Sequence, residues 1–281
     1  MRFEAIGTQW AIETHRTLTS SEKRQILHRI EEFDAAYSRF RDDSLITLLS
    51  QSKGTYVFPN DSVELIAWYR KLYDISHGAV SPLVGDTLVQ YGYDKEYSFS
   101  AKQVHPVKVW NDVMTWRQNV VTTYDQVTLD FGAAGKGFLV DSIGTLVETF
   151  GCREYVIDAS GDIRHRGDTA DKIGLEHPDD PTRVIGVWTL QNGSLCASAT
   201  NRRRWGNEMH HINDPSTAKP TTNIKATWVV AENTLIADGL STALFFCDYE
   251  TLRSLAPFEY VRLWGDNTID YSSGFVGELF I

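Results

Sequence analysis

The sequence predicts an α+β fold in which mixed sheets pack against helices within one domain spanning residues 1–281, with one or two lobes. Three observations carry that expectation. Strand-like and helix-like segments are interspersed without a regular βαβ period. No internal repeat recurs, and no run rich in Pro, Gly and Ser divides the chain. Finally, 281 residues with 42% apolar and 12% aromatic content can fill a sizeable core.

Residues 6–13 alternate loosely between apolar and polar and read as an opening strand. Thr19-Ser20-Ser21-Glu22 supplies helix-capping chemistry, with Ile26, Leu27, Ile30, Phe33 and Ala36 at helical spacing behind it, so a first helix ends near Tyr37. Asp43-Ser44 can cap a short helix through Leu45, Leu48 and Leu49. Over 61–75 a broad helical face carries Val63, Leu65, Ile66, Trp68, Tyr69, Leu72 and Tyr73. The polar stretch 93–127 reads as loops and strands. A short strand at 127–130, a glycine-rich turn at 132–137, a helix at 138–150 closing on Gly151 and a strand at 155–158 follow in order. Later strands are expected at 184–190, 226–230 and 260–264, with a helix over 234–247.

Lys and Arg number 27 against 37 Asp and Glu, a net charge of −10, which offers no general attraction to a polyphosphate backbone. A nucleic-acid partner is therefore not expected. No apolar run nears the roughly 18 residues of a membrane span, and the first residues carry neither a signal-peptide core nor a lipid-attachment cysteine. A cytoplasmic protein without a membrane anchor is the expectation. Cys152, Cys196 and Cys247 are odd in number and widely spaced, which suits small buried side chains better than a disulfide framework or zinc knuckle.

Four constellations could carry chemistry. In Asp130-Phe131-Gly132-Ala133-Ala134-Gly135-Lys136-Gly137, small residues at a helix entry let backbone N–H groups approach a phosphate; a tight packing turn is the plain alternative. In His210-His211-Ile212-Asn213-Asp214-Pro215 an extended backbone would send the two histidines to opposite faces, which disfavours a metal pair. Asp238 and Thr242 lie four apart, so on a helix a carboxylate and a hydroxyl share one face, a sparse pair of hard oxygens suited to Mg²⁺ with phosphate ligands. Arg202-Arg203-Arg204-Trp205 could clamp a phosphate or simply face solvent.

Taken in order, these pieces resemble the ApbE-like FAD:protein FMN transferase family. The matching segments are Ile6-Gly7-Thr8, Ser38-Arg39-Phe40-Arg41-Asp42-Asp43-Ser44, His77-Gly78-Ala79-Val80-Ser81-Pro82-Leu83-Val84, residues 130–141, Ala159-Ser160-Gly161-Asp162-Ile163-Arg164, residues 210–220 and residues 237–244. The resemblance implies an enzyme that cleaves the pyrophosphate of FAD with Mg²⁺, transfers FMN to a Ser or Thr hydroxyl of an acceptor flavoprotein and releases AMP. It implies Asp238 and Thr242 as metal side chains, with a backbone carbonyl at or near Ala133. It implies Phe40, Ala79, Val80, Ser81, Asp130, Lys136 and Asp214 as FAD contacts, and His211 as the base for the acceptor hydroxyl. Asp238 joins His211 as a catalytic residue.

The chain departs from the family pattern at Ala197-Ser198-Ala199, where Thr-Ser-Gly is usual, at Ser160-Gly161-Asp162 for Gly-Gly-Asp, and at Ala218 before Lys219-Pro220. These positions bear on the shape of the flavin pocket. Two other functions share the site: a Mg²⁺-dependent FAD pyrophosphatase, giving FMN and AMP with water as nucleophile, and a flavin-binding protein without turnover. The latter would need the pocket but not Asp238, Thr242 and His211.

Overall fold

The computed structural model describes residues 1–100, 102–201 and 223–280, and between 204 and 220 the backbone of four two-residue strands. In chain order the elements are β1 (Arg2–Ala5), β2 (Thr8–Thr14), α1 (Ser20–Tyr37), α2 (Leu45–Gln51), β3 (Thr55–Val57), α3 (Ser62–Ile75), α4 (Gly85–Gln90), α5 (Trp110–Val113), β4 (Met114–Arg117), β5 (Val120–Thr123) and α6 (Gly135–Thr149). They continue with β6 (Tyr155–Asp158), β7 (Asp162–Arg166), β8 (Asp171–His177), β9 (Asp180–Leu190) and β10 (Gly193–Ala199). The short strands β11 (Arg204–Trp205), β12 (Met209–His210), β13 (Asn213–Asp214) and β14 (Lys219–Pro220) precede β15 (Ile224–Ala231), α7 (Thr234–Ala243), α8 (Tyr249–Leu252), β16 (Glu259–Trp264), β17 (Ile269–Tyr271) and β18 (Gly277–Leu279).

The α+β expectation holds. Among the described residues an eight-stranded antiparallel sheet runs β1-β2-β6-β7-β10-β15-β16-β17. Because strand side chains alternate between faces, Ile12, Ile157, Cys196, Val229 and Tyr260 enter a core shared with Phe33, Tyr69, Leu139, Ile143 and Leu240 from the helices. Ile163, Leu195, Trp228, Val261 and Leu263 face the other way and close a second core with Leu175, Ile185 and Trp188 of the β18-β9-β8 sheet.

Several element boundaries follow local chemistry. Thr19 Oγ1 accepts from Glu22 N–H at 3.3 Å and Glu22 Oε2 from Thr19 N–H at 2.7 Å, so α1 begins with the expected reciprocal cap. Ser44 caps α2 by accepting from Thr47 N–H at 3.0 Å. The opening strand is instead a hairpin, because Ile6 and Gly7 take φ of 45° and 71° and turn the chain between β1 and β2.

The strand expected at 127–130 does not form. Its alternating apolar residues are buried, but Thr128 N–H donates to the Asp86 carboxylate at 3.0 Å and Asp130 N–H to the Pro82 carbonyl at 2.7 Å, so it joins no sheet. The glycine-rich turn is shorter than expected, since α6 already begins at Gly135. The last predicted helix stops at Ala243, beyond which Phe245 and Phe246 N–H bond three residues back, to Thr242 and Ala243. No helix is long and apolar enough to cross a membrane among the described residues.

Candidate active site

The first turn of α6 lies against α7 closely enough that only glycine fits between them. A Cβ on Gly137 would stand 2.3 Å from the Thr234 carbonyl oxygen and 2.7 Å from Asp238 Cβ. That approach lets Gly137 N–H donate to Asp238 Oδ2 at 2.9 Å, satisfying one of the helix's orphan donors from a neighbouring helix. Asp238 is only 5% exposed, a buried carboxylate. Asp141, one turn further along α6, repeats the device in reverse: it accepts from Thr234 N–H at 3.0 Å and Leu235 N–H at 2.7 Å and is paired with Arg164. Gly137→Ala is expected to cost about 2 kcal/mol of stability through overpacking and to slow turnover by separating α6 from Asp238. A variant melting like the native protein would show that the contact yields freely.

The turn before α6 is held by Tyr69 of α3, whose hydroxyl accepts from Ala133 and Ala134 N–H, each at 3.1 Å. Burial, followed by the nearby carboxylates of Asp130 and Asp238, pushes this phenol well above its ordinary pKa, so it stays a neutral hydroxyl. Since Gly137 N–H goes to Asp238 and Phe138 N–H to Ala134, the Ala133 carbonyl takes no helical bond among the described residues. Thr242, half-buried on α7, has its Oγ1 3.3 Å from Ser198 Oγ of β10. An orphaned carbonyl, a carboxylate and a hydroxyl are three hard oxygens, a donor set that fits Mg²⁺ completed by water and phosphate. Among the described residues no group of three or more His, Cys, Asp or Glu side chains could hold a metal ion.

Asp130 and Phe40 come together through Arg39. The 3% exposed guanidinium donates to Asp130 Oδ2 at 2.5 Å and to the Tyr93 carbonyl at 2.6 Å, and lies 4.2 Å from the centroid of the Phe40 ring. Asp130 Oδ1 accepts from Gly132 N–H at 2.7 Å, which closes the turn. Phe40 stacks on Tyr97 with centroids 5.6 Å apart. The Ala79, Val80 and Ser81 segment lies beside Asp130, because Pro82 accepts the Asp130 N–H; Ser81 Oγ caps the following turn at Leu83 N–H, 3.2 Å away.

Lys136 is engaged within the protein. Its ammonium donates to the carbonyls of Ala159 at 2.8 Å and Ser160 at 3.4 Å and stands 3.2 Å from Asp162 Oδ2. Asp162 is fully buried, and among the described residues neither of its oxygens has an aligned hydrogen-bond donor. Burial raises its carboxyl above the usual range and the Lys136 charge opposes that rise. An acid with a raised folded pKa loses stability as pH climbs from the ordinary carboxylate range through the raised value. Lys136→Met removes the opposing charge, so we expect a loss near pH 8 of about 3 kcal/mol, shrinking toward pH 4 as Asp162 takes up its proton. Melting curves across that range check this; a deficit constant with pH would mean that Asp162 is not the group responsible.

Among the predicted site residues, Asp238 meets the first turn of α6 at Gly137, Lys136 belongs to that turn and Ala133 precedes it, while Thr242 lies one turn beyond Asp238 on α7, against Ser198; Asp130 and Phe40 both contact Arg39, and the 79–81 segment leads into Pro82, which accepts the Asp130 N–H. His211 lies outside the described residues, as does the side chain of Asp214, whose backbone ends β13. The Arg202–Arg204 run is likewise outside, apart from the backbone of Arg204 in β11. Sequence reasoning gave no role to Arg39, Tyr69, Asp141, Asp162 or Ser198. Tyr69 alone left a signal, since a tyrosine on an otherwise apolar helix face must find a partner for its hydroxyl.

The comparisons with known proteins agree with one another. The model of the ApbE family matches residues 6–261. An FAD:protein FMN transferase of Haemophilus influenzae is 24% identical over 255 residues, covering 82% of this chain and 73% of that protein. One from Buchnera aphidicola is 19% identical over 278 residues, covering 91% and 82%. The crystal structure of the ApbE protein from Thermotoga maritima shares the fold with a TM-score of 0.85 at 20% identity, over 97% of this chain and 96% of that one. Flavin transferase ApbE from Vibrio cholerae superposes with a TM-score of 0.79 at 16% identity, over 98% and 96%.

Proposed function

The chain belongs to the ApbE family, and from that premise we propose that it is a Mg²⁺-dependent FAD:protein FMN transferase acting as one ApbE-like domain over residues 1–281. It would cleave the FAD pyrophosphate, join FMN to a Ser or Thr hydroxyl of an acceptor flavoprotein reached from the cytoplasm, and release AMP. The observation that carries the reading is the α6–α7 junction, where Asp238, the Thr242 hydroxyl and the orphaned Ala133 carbonyl offer hard oxygens beside a glycine-rich helix entry.

Displacement at a pyrophosphate builds charge on bridging and non-bridging oxygens, so positioning and charge neutralisation supply most of the rate. Asp238, Thr242 and the Ala133 carbonyl would hold Mg²⁺, which would supply that neutralisation when bound. Asp130, fixed by Arg39 and Gly132 N–H, accepts hydrogen bonds from FAD; Phe40, Ala79, Val80 and Ser81 shape the wall beside it, and Asp214 completes the contacts. Lys136 serves the pocket mainly by anchoring the turn of Ala159 and Ser160, and reaches FAD if binding draws it from those carbonyls. His211 takes the proton of the acceptor hydroxyl, which FAD binding alone does not require.

Incubation with FAD, Mg²⁺ and candidate flavoproteins tests this reading. Covalent flavin fluorescence on a denaturing gel, with stoichiometric AMP, is the expected result. Free FMN and AMP without labelled protein would favour the pyrophosphatase; FAD retained intact would favour a binding protein.

A further inference from the structure

A chain of hydroxyls behind Thr242 has a fixed direction. Ser241 Oγ lies 2.8 Å from the Asp238 backbone carbonyl, Ser198 Oγ lies 2.7 Å from Ser241 Oγ, and Thr242 Oγ1 lies 3.3 Å from Ser198 Oγ. A carbonyl oxygen has no proton, so the first contact is a hydrogen bond only if Ser241 donates. A hydroxyl has one proton. Ser241 must therefore accept from Ser198, and Ser198, its proton committed, must accept from Thr242. Thr242 is left with its proton turned toward β10 and its lone pairs turned away from it.

A further hydrogen bond and the burial of Ser241 hold the chain in place. Thr227 Oγ1 donates to the Ser241 carbonyl at 2.6 Å, tying β15 to α7. Ser241 is fully buried, so water cannot replace either of its partners. The outermost link is the longest, and it is the one with room to shorten.

We propose that Ser198, its direction fixed by Ser241, is a positioning residue that presets the Thr242 hydroxyl as a pure acceptor toward a divalent cation. This rests on the reading of Asp238 and Thr242 as a cation site. Without Ser198 the Thr242 proton has no partner on β10 and is free to turn toward the cation, which repels it. Without Ser241, Ser198 can reverse and donate to Thr242, occupying a lone pair. Outer partners that orient metal ligands commonly change metal affinity by about 10- to 100-fold, and the long outer link points to the lower end.

The test is Mn²⁺ titration of the whole protein at fixed FAD, with free Mn²⁺ read by electron paramagnetic resonance and folding checked by melting. Ser198→Ala and Ser241→Ala should each weaken Mn²⁺ binding by about 10-fold. The double variant should be little worse than either, because each breaks the same chain. Ser198→Thr, which keeps a hydroxyl, should bind nearly as the native protein does. Native affinity in Ser198→Ala, with binding lost in Asp238→Asn, would overturn this inference and leave the cation site standing. Native affinity in Asp238→Asn would overturn the cation site itself, and the inference with it.

Discussion

Asp238→Asn is expected to lower FMN transfer by at least about 10²-fold, the scale set by losing a major source of transition-state charge stabilisation. Asparagine is the informative replacement. Asp238 accepts the Gly137 N–H at 2.9 Å, so alanine would leave a buried donor unpaired at the start of α6, a cost of about 1–3 kcal/mol that would mix folding with function. Asparagine keeps a carbonyl oxygen for that donor and removes the negative charge. The melting temperature should stay close to native while Mg²⁺-stimulated turnover collapses. A folded Asp238→Asn protein with native Mg²⁺ stimulation would show that the carboxylate does not hold the cation.

Such double duty explains what could be read from the sequence and what could not. The start of α1 was legible because Thr19 and Glu22 complete their cap within one turn. The shared face of Asp238 and Thr242 was legible because a helix fixes four-residue neighbours. Segment 127–130 misled because Val127 and Leu129 alternate with polar residues as a half-buried strand would, whereas the backbone partners that decide its state sit in Asp86 and Pro82.

The site's supports are remote in the same way. Arg39 reaches Asp130 across 91 residues, Tyr69 reaches Ala133 across 64, and Asp141 reaches Thr234 across 93. No local period encodes such pairs, and family likeness transmits the residue without its partner. Lys136 shows the consequence: likeness points it at FAD, while the turn of Ala159 and Ser160 and the buried Asp162 surround its ammonium.

His211→Ala is expected to keep FAD and Mn²⁺ binding and to lose FMN transfer by at least about 10²-fold. A Ser or Thr hydroxyl attacks poorly until its proton leaves, and a positioned general base contributes about 10² to 10⁴ in rate. Only a neutral imidazole can take that proton. Native transfer should accordingly rise with pH as the base loses its own proton, and the His211→Ala profile should lose that rise. His210 provides the control. Its backbone pairs with that of Arg204, and since the sequence is read as an extended stretch that sends the two histidines to opposite faces, His210→Ala should be far milder. FAD affinity, covalent transfer and AMP release measured for both variants across pH separate base catalysis from binding. If His211→Ala keeps near-native transfer with its pH dependence, or if His210→Ala is the more damaging, the proton goes elsewhere and His211 is a contact of the flavin pocket.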